Sequence, residues 1–97
     1  MNTPEQCESL AQVRAGIDRL DEQIVQLLAE RGAYVLAAAR FKHSDAEVRA
    51  PQRVEQVIAR VRALAEQHGA LPEVVELIYR ELIGAFTDAE HRRWSQR

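Results

Sequence analysis

Six aliphatic residues, Leu10, Val13, Ile17, Leu20, Ile24 and Leu27, recur at alternating steps of three and four, and no proline stands between Pro4 and Pro51. Steps of that kind gather all six on one side of an α-helix. Arg19, Asp21, Glu22 and Glu30 fall on its other faces. Gly16 and Gly32 each cost about 1 kcal/mol relative to alanine in a helix interior, yet the pattern continues through both. Thr3 and Ser9 are each followed three places later by glutamine, the spacing of a capping box. A helix from Leu10 to about Phe41 would be about 48 Å long. A compact monomer of 97 residues has a radius of gyration of about 12–13 Å and a diameter of about 35 Å. The helix therefore overhangs such a monomer and leaves its apolar seam wet. The economical expectation is an intertwined or side-by-side homodimer; a break at Gly32 into two shorter helices is the alternative.

A second helical stretch starts near Pro51, carries Val54, Val57, Ile58, Val61 and Leu64 on one face, and stops at Gly69. A third starts near Pro72 and carries Val74, Val75, Ile78, Leu82, Ile83 and Phe86 ahead of a polar tail, His91-Arg92-Arg93-Trp94. No alternating strand pattern is present, so the expected fold is all-α, a three-helix chain with a long first helix. Residues 1–97 are expected to form a single domain. The polar composition of residues 43–50 reads as a loop.

Other classes are excluded by composition. Thirteen Lys+Arg against fifteen Asp+Glu, a net charge of -2, argue against a nucleic-acid binder. Arg92 and Arg93 show no helix-turn-helix spacing around them. The single cysteine, Cys7, excludes an internal disulfide and favours a reducing compartment. No apolar run approaches the roughly 18 residues of a membrane span, and the opening MNTPEQCESL lacks the pattern of a secretory signal. A cytoplasmic protein is expected. His43, His68 and His91 have no partners at metal-ligand spacing, and there is no phosphate-binding glycine loop or nucleophile motif. No metal or cofactor is expected.

The informative residues are charges placed where the seams call for apolar side chains. Continued past Leu27, the first seam meets Arg31, Val35, Ala38 and Lys42, which puts two cations on the core-facing side about 16 Å apart along the axis. Lys42 is the only lysine beside twelve arginines. A buried cation needs an anion, either a protein carboxylate or a bound one; otherwise both side chains snorkel to water. Arg14 lies about 25 Å from Arg31 on the same helix, so it reaches a common small-molecule site only from a second chain. In the third helix Tyr79, Ile83 and Phe86 lead to Glu90. A carboxyl group there is paired with a cation, held protonated, or solvated on a frayed turn. Arg53, on the first turn of the second helix, is a lesser candidate cation. Together these residues describe a cation-lined cavity in a helical bundle, suited to a small polyanion and to catalysis by positioning and electrostatics.

The run Ile17-Asp18-Arg19-Leu20-Asp21 through Leu27-Leu28-Ala29-Glu30-Arg31, with Lys42, Arg53 and position 90, resembles the helical class of chorismate mutase over essentially the whole chain. Thr3-Pro4-Glu5, Cys7, Tyr34-Val35, Arg40-Phe41-Lys42 and Ala50-Pro51 with Arg53-Val54 are closer to its isochorismate-pyruvate lyase branch, which belongs to salicylate biosynthesis. The resemblance implies an intertwined homodimer of three-helix chains acting without cofactor on a chorismate-type dianion. It implies that Arg31 and Arg14 of the partner subunit clamp the substrate carboxylates, and that Lys42 donates to a carboxylate and to the ether oxygen of the breaking C–O bond. Arg53 would support the carboxylate end, and Ala38, Val57 and Ile83 would line the apolar part of the pocket.

Two departures from the family pattern bear on chemistry. Where most of the family has glutamine, donating to the ether oxygen, this chain has Glu90, which donates only when protonated. Burial favours the protonated form, whereas nearby Arg31 and Lys42 favour the ionised one. Val54 stands where ordinary helical chorismate mutases tend to have glutamate against the ring hydroxyl, which tilts the expectation towards isochorismate. A dedicated chorismate mutase and a non-catalytic helical dimer with a degenerate site are the alternatives.

Overall fold

The computed structural model describes residues 2–96, and every regular element among them is helical. The helices are α1 (Leu10–Ala38), α2 (Asp45–Arg49), α3 (Pro51–His68) and α4 (Pro72–Ser95). Single 3₁₀ turns occupy Pro4–Gln6 and Ala39–Phe41. The chain divides into two compact units, Met1–Ala33 and Tyr34–Arg97.

In the first unit the two start signals act as local closures. The Gln6 side chain accepts the Thr3 N–H at 3.0 Å, and Ser9 Oγ accepts the Gln12 N–H at 3.1 Å, capping α1. The helix continues through Gly32 without a break. All six seam residues are solvent-exposed, from 41% at Val13 to 64% at Leu27.

The second unit is built on the pairing of α3 with α4. Ile58, Val61 and Ala65 are its buried α3 residues, stepping by three and four, and Ala39 and Val48 are buried with them. Gly69 ends α3 at φ 76°, and the Ala70 N–H returns to the Ala65 carbonyl at 2.8 Å, a closure that satisfies an orphan carbonyl. At the α2–α3 junction Ala50 adopts the left-handed conformation, φ 41°, and Pro51 starts the new helix. A non-glycine residue there costs about 1–2 kcal/mol, a strain that fixes the sharp turn between the two helices.

Charged side chains tie α3 to α4. Arg80 binds both carboxylate oxygens of Glu55 at 3.0 and 3.1 Å and also reaches Glu76 at 2.8 Å, while Arg62 reaches Glu76 at 2.8 Å. The Arg80 guanidinium holds the Glu55 carboxyl below the ordinary carboxylate range, and Arg80 followed by Arg62 does the same for Glu76. A carboxyl that titrates lower in the folded chain than in the unfolded one stabilises the fold above its unfolded value, about 4.3 for glutamate, and loses that contribution as pH falls through the folded value. The melting temperature is thus expected to fall on acidification below about pH 4. Melts of Glu76→Gln should show less of this acid-side decline than the wild type.

Two expectations need correction. The polar tail His91-Arg92-Arg93-Trp94 does not follow the third helix but belongs to it: α4 runs on to Ser95. Residues 43–50 are not an irregular loop, because Ser44 accepts the Glu47 N–H at 3.2 Å and starts the short helix α2.

Candidate active site

Lys42 stands where α1 has ended. Its N–H bonds to the Ala39 carbonyl at 3.2 Å, closing the 3₁₀ turn, and its own backbone is extended, φ -93° and ψ 141°. The next N–H, that of His43, goes to the Glu47 carboxylate at 2.6 Å instead of to a helical carbonyl. The helical ladder therefore stops before Lys42, and the seam register that carried Arg31 to Lys42 on one helix does not hold. Side-chain capping by Ser44 and Glu47 competes with continuation of α1 and turns the chain.

This turn aims the Lys42 side chain at two acceptors. Its Nζ donates to the Glu47 main-chain carbonyl at 3.0 Å and to Glu90 Oε2 at 3.1 Å. Glu90 is 4% exposed, and it is the one buried charged residue among those described. A carboxylate so far from water requires a cation or donors, and Lys42 supplies them. Of the readings open to a carboxyl on the α4 seam, pairing with a cation is the one found, across 48 residues of chain.

Two more α4 side chains hold the same segment. Trp94 Nε1 donates to the Lys42 main-chain carbonyl at 3.1 Å, and His91 Nε2 lies 2.7 Å from Asp45 Oδ1. Arg49, donating to Asp45 at 2.8 Å, and then His91 keep the Asp45 carboxyl below the ordinary range. Sequence reasoning passed over Trp94, His91, Asp45 and Glu47. A signal for Trp94 was present: Phe86, Glu90 and Trp94 step by four, so the α4 seam carries on past the residues read as a polar tail.

The remaining predicted positions are distributed as follows. Arg53 is exposed on the first turn of α3; Val54 and Val57 are half-buried on α3, Ile83 on α4, and Ala38 at the end of α1. In the first unit Arg14 is exposed and Arg31 half-buried. A shallow polar pocket of about 210 Å³ lies over the end of α4, lined by Arg49, Thr87, Asp88, His91 and Arg92. None of the positions read as substrate ligands borders it.

Comparison with known proteins gives one family. The sequence profile of chorismate mutase type II matches residues 13–91. An isochorismate pyruvate lyase from Pseudomonas aeruginosa is 40% identical over 96 residues, which is 99% of this chain and 95% of that protein. A chorismate mutase from Methanocaldococcus jannaschii is 30% identical over 77 residues, 78% of each chain. A bifunctional chorismate mutase/prephenate dehydratase from Aquifex aeolicus is 30% identical over 89 residues, covering 88% of this chain and 25% of that protein.

Proposed function

Because the chain belongs to the chorismate mutase type II family, we propose that its 97 residues act as one catalytic domain on a chorismate-type dianion, converting isochorismate to salicylate and pyruvate and also chorismate to prephenate. The observation that carries this reading is the Lys42–Glu90 contact at 3.1 Å: a cation held beside a buried carboxylate, at the two positions that the resemblance assigns to the ether oxygen. Both reactions break the C–O bond to the enolpyruvyl group. In one, a hydrogen passes from the ring to the side chain as the bond breaks; in the other, a new C–C bond forms. Neither needs a covalent enzyme intermediate, so the protein's work is to hold the side chain over the ring and to stabilise negative charge on the oxygen.

An ammonium has three N–H donors. Lys42 directs two at Glu47 and Glu90, and the third serves the ether oxygen. Arg31 and Arg14 of the partner subunit take the substrate carboxylates, with Arg53 at the same end and Ala38, Val57 and Ile83 as the apolar wall. Val54 presents no acceptor to a ring hydroxyl, which together with the lyase relative at 40% identity favours isochorismate. The mutase relatives at 30% identity support the second reading, a dedicated chorismate mutase.

The homodimer belongs to this proposal. The exposed α1 seam, with Leu10, Ile17, Ile24 and Leu27 each at least half exposed, is an apolar face that a second copy would cover. Val74 and Ile78 on α4, and Leu71 just before it, are likewise apolar and exposed, at 43%, 58% and 63%. A cytoplasmic setting fits the lone Cys7; no described helix is long and apolar enough to cross a membrane.

The test is a pair of assays on the same preparation, salicylate fluorescence from isochorismate and ultraviolet loss of chorismate, at pH 5.5 and 7.5. Turnover of isochorismate supports the lyase reading, and turnover of chorismate alone selects the mutase. No turnover of either would overturn the proposal.

A further inference from the structure

The backbone at Lys42 is extended and lies between two short turns of helix, so regular hydrogen bonding does not fix where its ammonium sits. Most bonds around it stay within the segment itself: Lys42 N–H to Ala39, Lys42 Nζ to Glu47, His43 N–H to Glu47, and Glu47 N–H to Ser44. Such bonds give the segment a shape but do not locate it against the bundle. The burial of Ala39 and Val48 packs it there, and three side chains near the end of α4 hold it through polar contacts. Glu90 takes the ammonium, His91 meets Asp45 at 2.7 Å, and Trp94 donates its indole N–H to the Lys42 carbonyl at 3.1 Å. Residues 90 and 94, one helical turn apart, share a face of α4. The Trp94 bond ties the main chain of Lys42 to α4.

We propose that Trp94 is a positioning residue for Lys42, its indole N–H anchoring the main-chain carbonyl so that the ammonium meets the breaking C–O bond, with His91 and Asp45 pinning the far end of the same segment. This rests on the reading that Lys42 acts on the ether oxygen. The physical reason it matters is tolerance: a displacement of about 1 Å at a reacting group costs as much as 100-fold in rate. The indole is a good anchor because its rigid ring brings one N–H to one place at low cost in side-chain entropy.

The test uses the fact that Trp94 is the single tryptophan of the chain. Biosynthetic replacement of tryptophan by benzothienylalanine changes this one site, keeps the bicyclic ring and exchanges the N–H for sulfur. Trp94→Phe gives a second, simpler variant. Both are expected to lower kcat about tenfold with KM changed less than about twofold, the split of a group that acts in the transition state. Helical circular dichroism should be retained. In a Lys42→Ala background the same replacement should have little further effect, because the residue it positions is gone. An unchanged kcat in the benzothienyl protein overturns the proposal. An equal loss with and without Lys42 also overturns it, since that would mark a general packing role. Failure of the functional reading itself is separate: it would show as a wild-type protein with no turnover.

Discussion

Lys42→Ala is expected to lower kcat by about two to three orders of magnitude, the range found when one donor to a developing oxyanion is removed, with a much smaller change in KM. Lys42 donates to Glu47 and Glu90 in the free protein, so the side chain is already placed before substrate arrives. Its interaction with the ether oxygen strengthens as the C–O bond lengthens and charge gathers there, which is why the loss falls on kcat. The substitution also leaves Glu90, with a side chain 5% exposed, without its cation. A buried carboxylate stripped of its partner destabilises the fold. Melting curves must therefore accompany the kinetics, and Lys42→Arg supplies a control that keeps the charge. The arginine variant is expected to keep the melting temperature yet lose much of kcat, because a planar fork does not replace a compact ammonium at the same point. An unchanged kcat in Lys42→Ala would remove Lys42 from the mechanism.

The second large effect concerns the proposed dimer. Arg14→Ala and Lys42→Ala are each expected to be nearly inactive, and a co-refolded equal mixture of the two is expected to regain about a quarter of the wild-type activity. Half of the dimers in such a mixture are mixed, and in each of these one site has both substitutions while the other has neither. That recovery requires Arg14 to serve the site of the opposite chain. If Arg14 acts within its own chain, every site in the mixture carries a defect and nothing is regained. Separately, a charge placed on the exposed seam, as in Ile17→Glu, should move the sedimenting species from twice the 11.0 kDa chain mass to one chain and abolish activity. Ile17 is 50% exposed on α1, so the substitution costs an isolated chain little. The effect would report association.

Much of the fold could be read directly from the chain. The spacing of Leu10 to Leu27, the proline at the start of α3 and α4, and Gly69 at the end of α3 are local signals, and each marks the element found there. Glu90 also stands out, as a carboxyl on an apolar seam, but the choice among a cation partner, a proton and water is not local. Local patterns mislead where they compete. The spacing from Arg31 runs on to Lys42, but Ser44 and Glu47 offer the backbone side-chain bonds that end the helix. The residues from His91 have the polar composition of a tail, but Trp94 continues the α4 seam.

Periodicity, caps and proline placement were sufficient for an all-helical chain and for naming the odd charges on its apolar faces, since those properties depend on neighbours within a turn or two. Which acceptor Lys42 finds is a different matter. Its partners Glu90 and Trp94 lie 48 and 52 residues away, and they reach it only because α1 stops at Ala38 and the segment after it folds back onto α4. Hydrogen bonds reach about 3 Å, so contacts between residues this far apart in the chain exist only once the helices have packed.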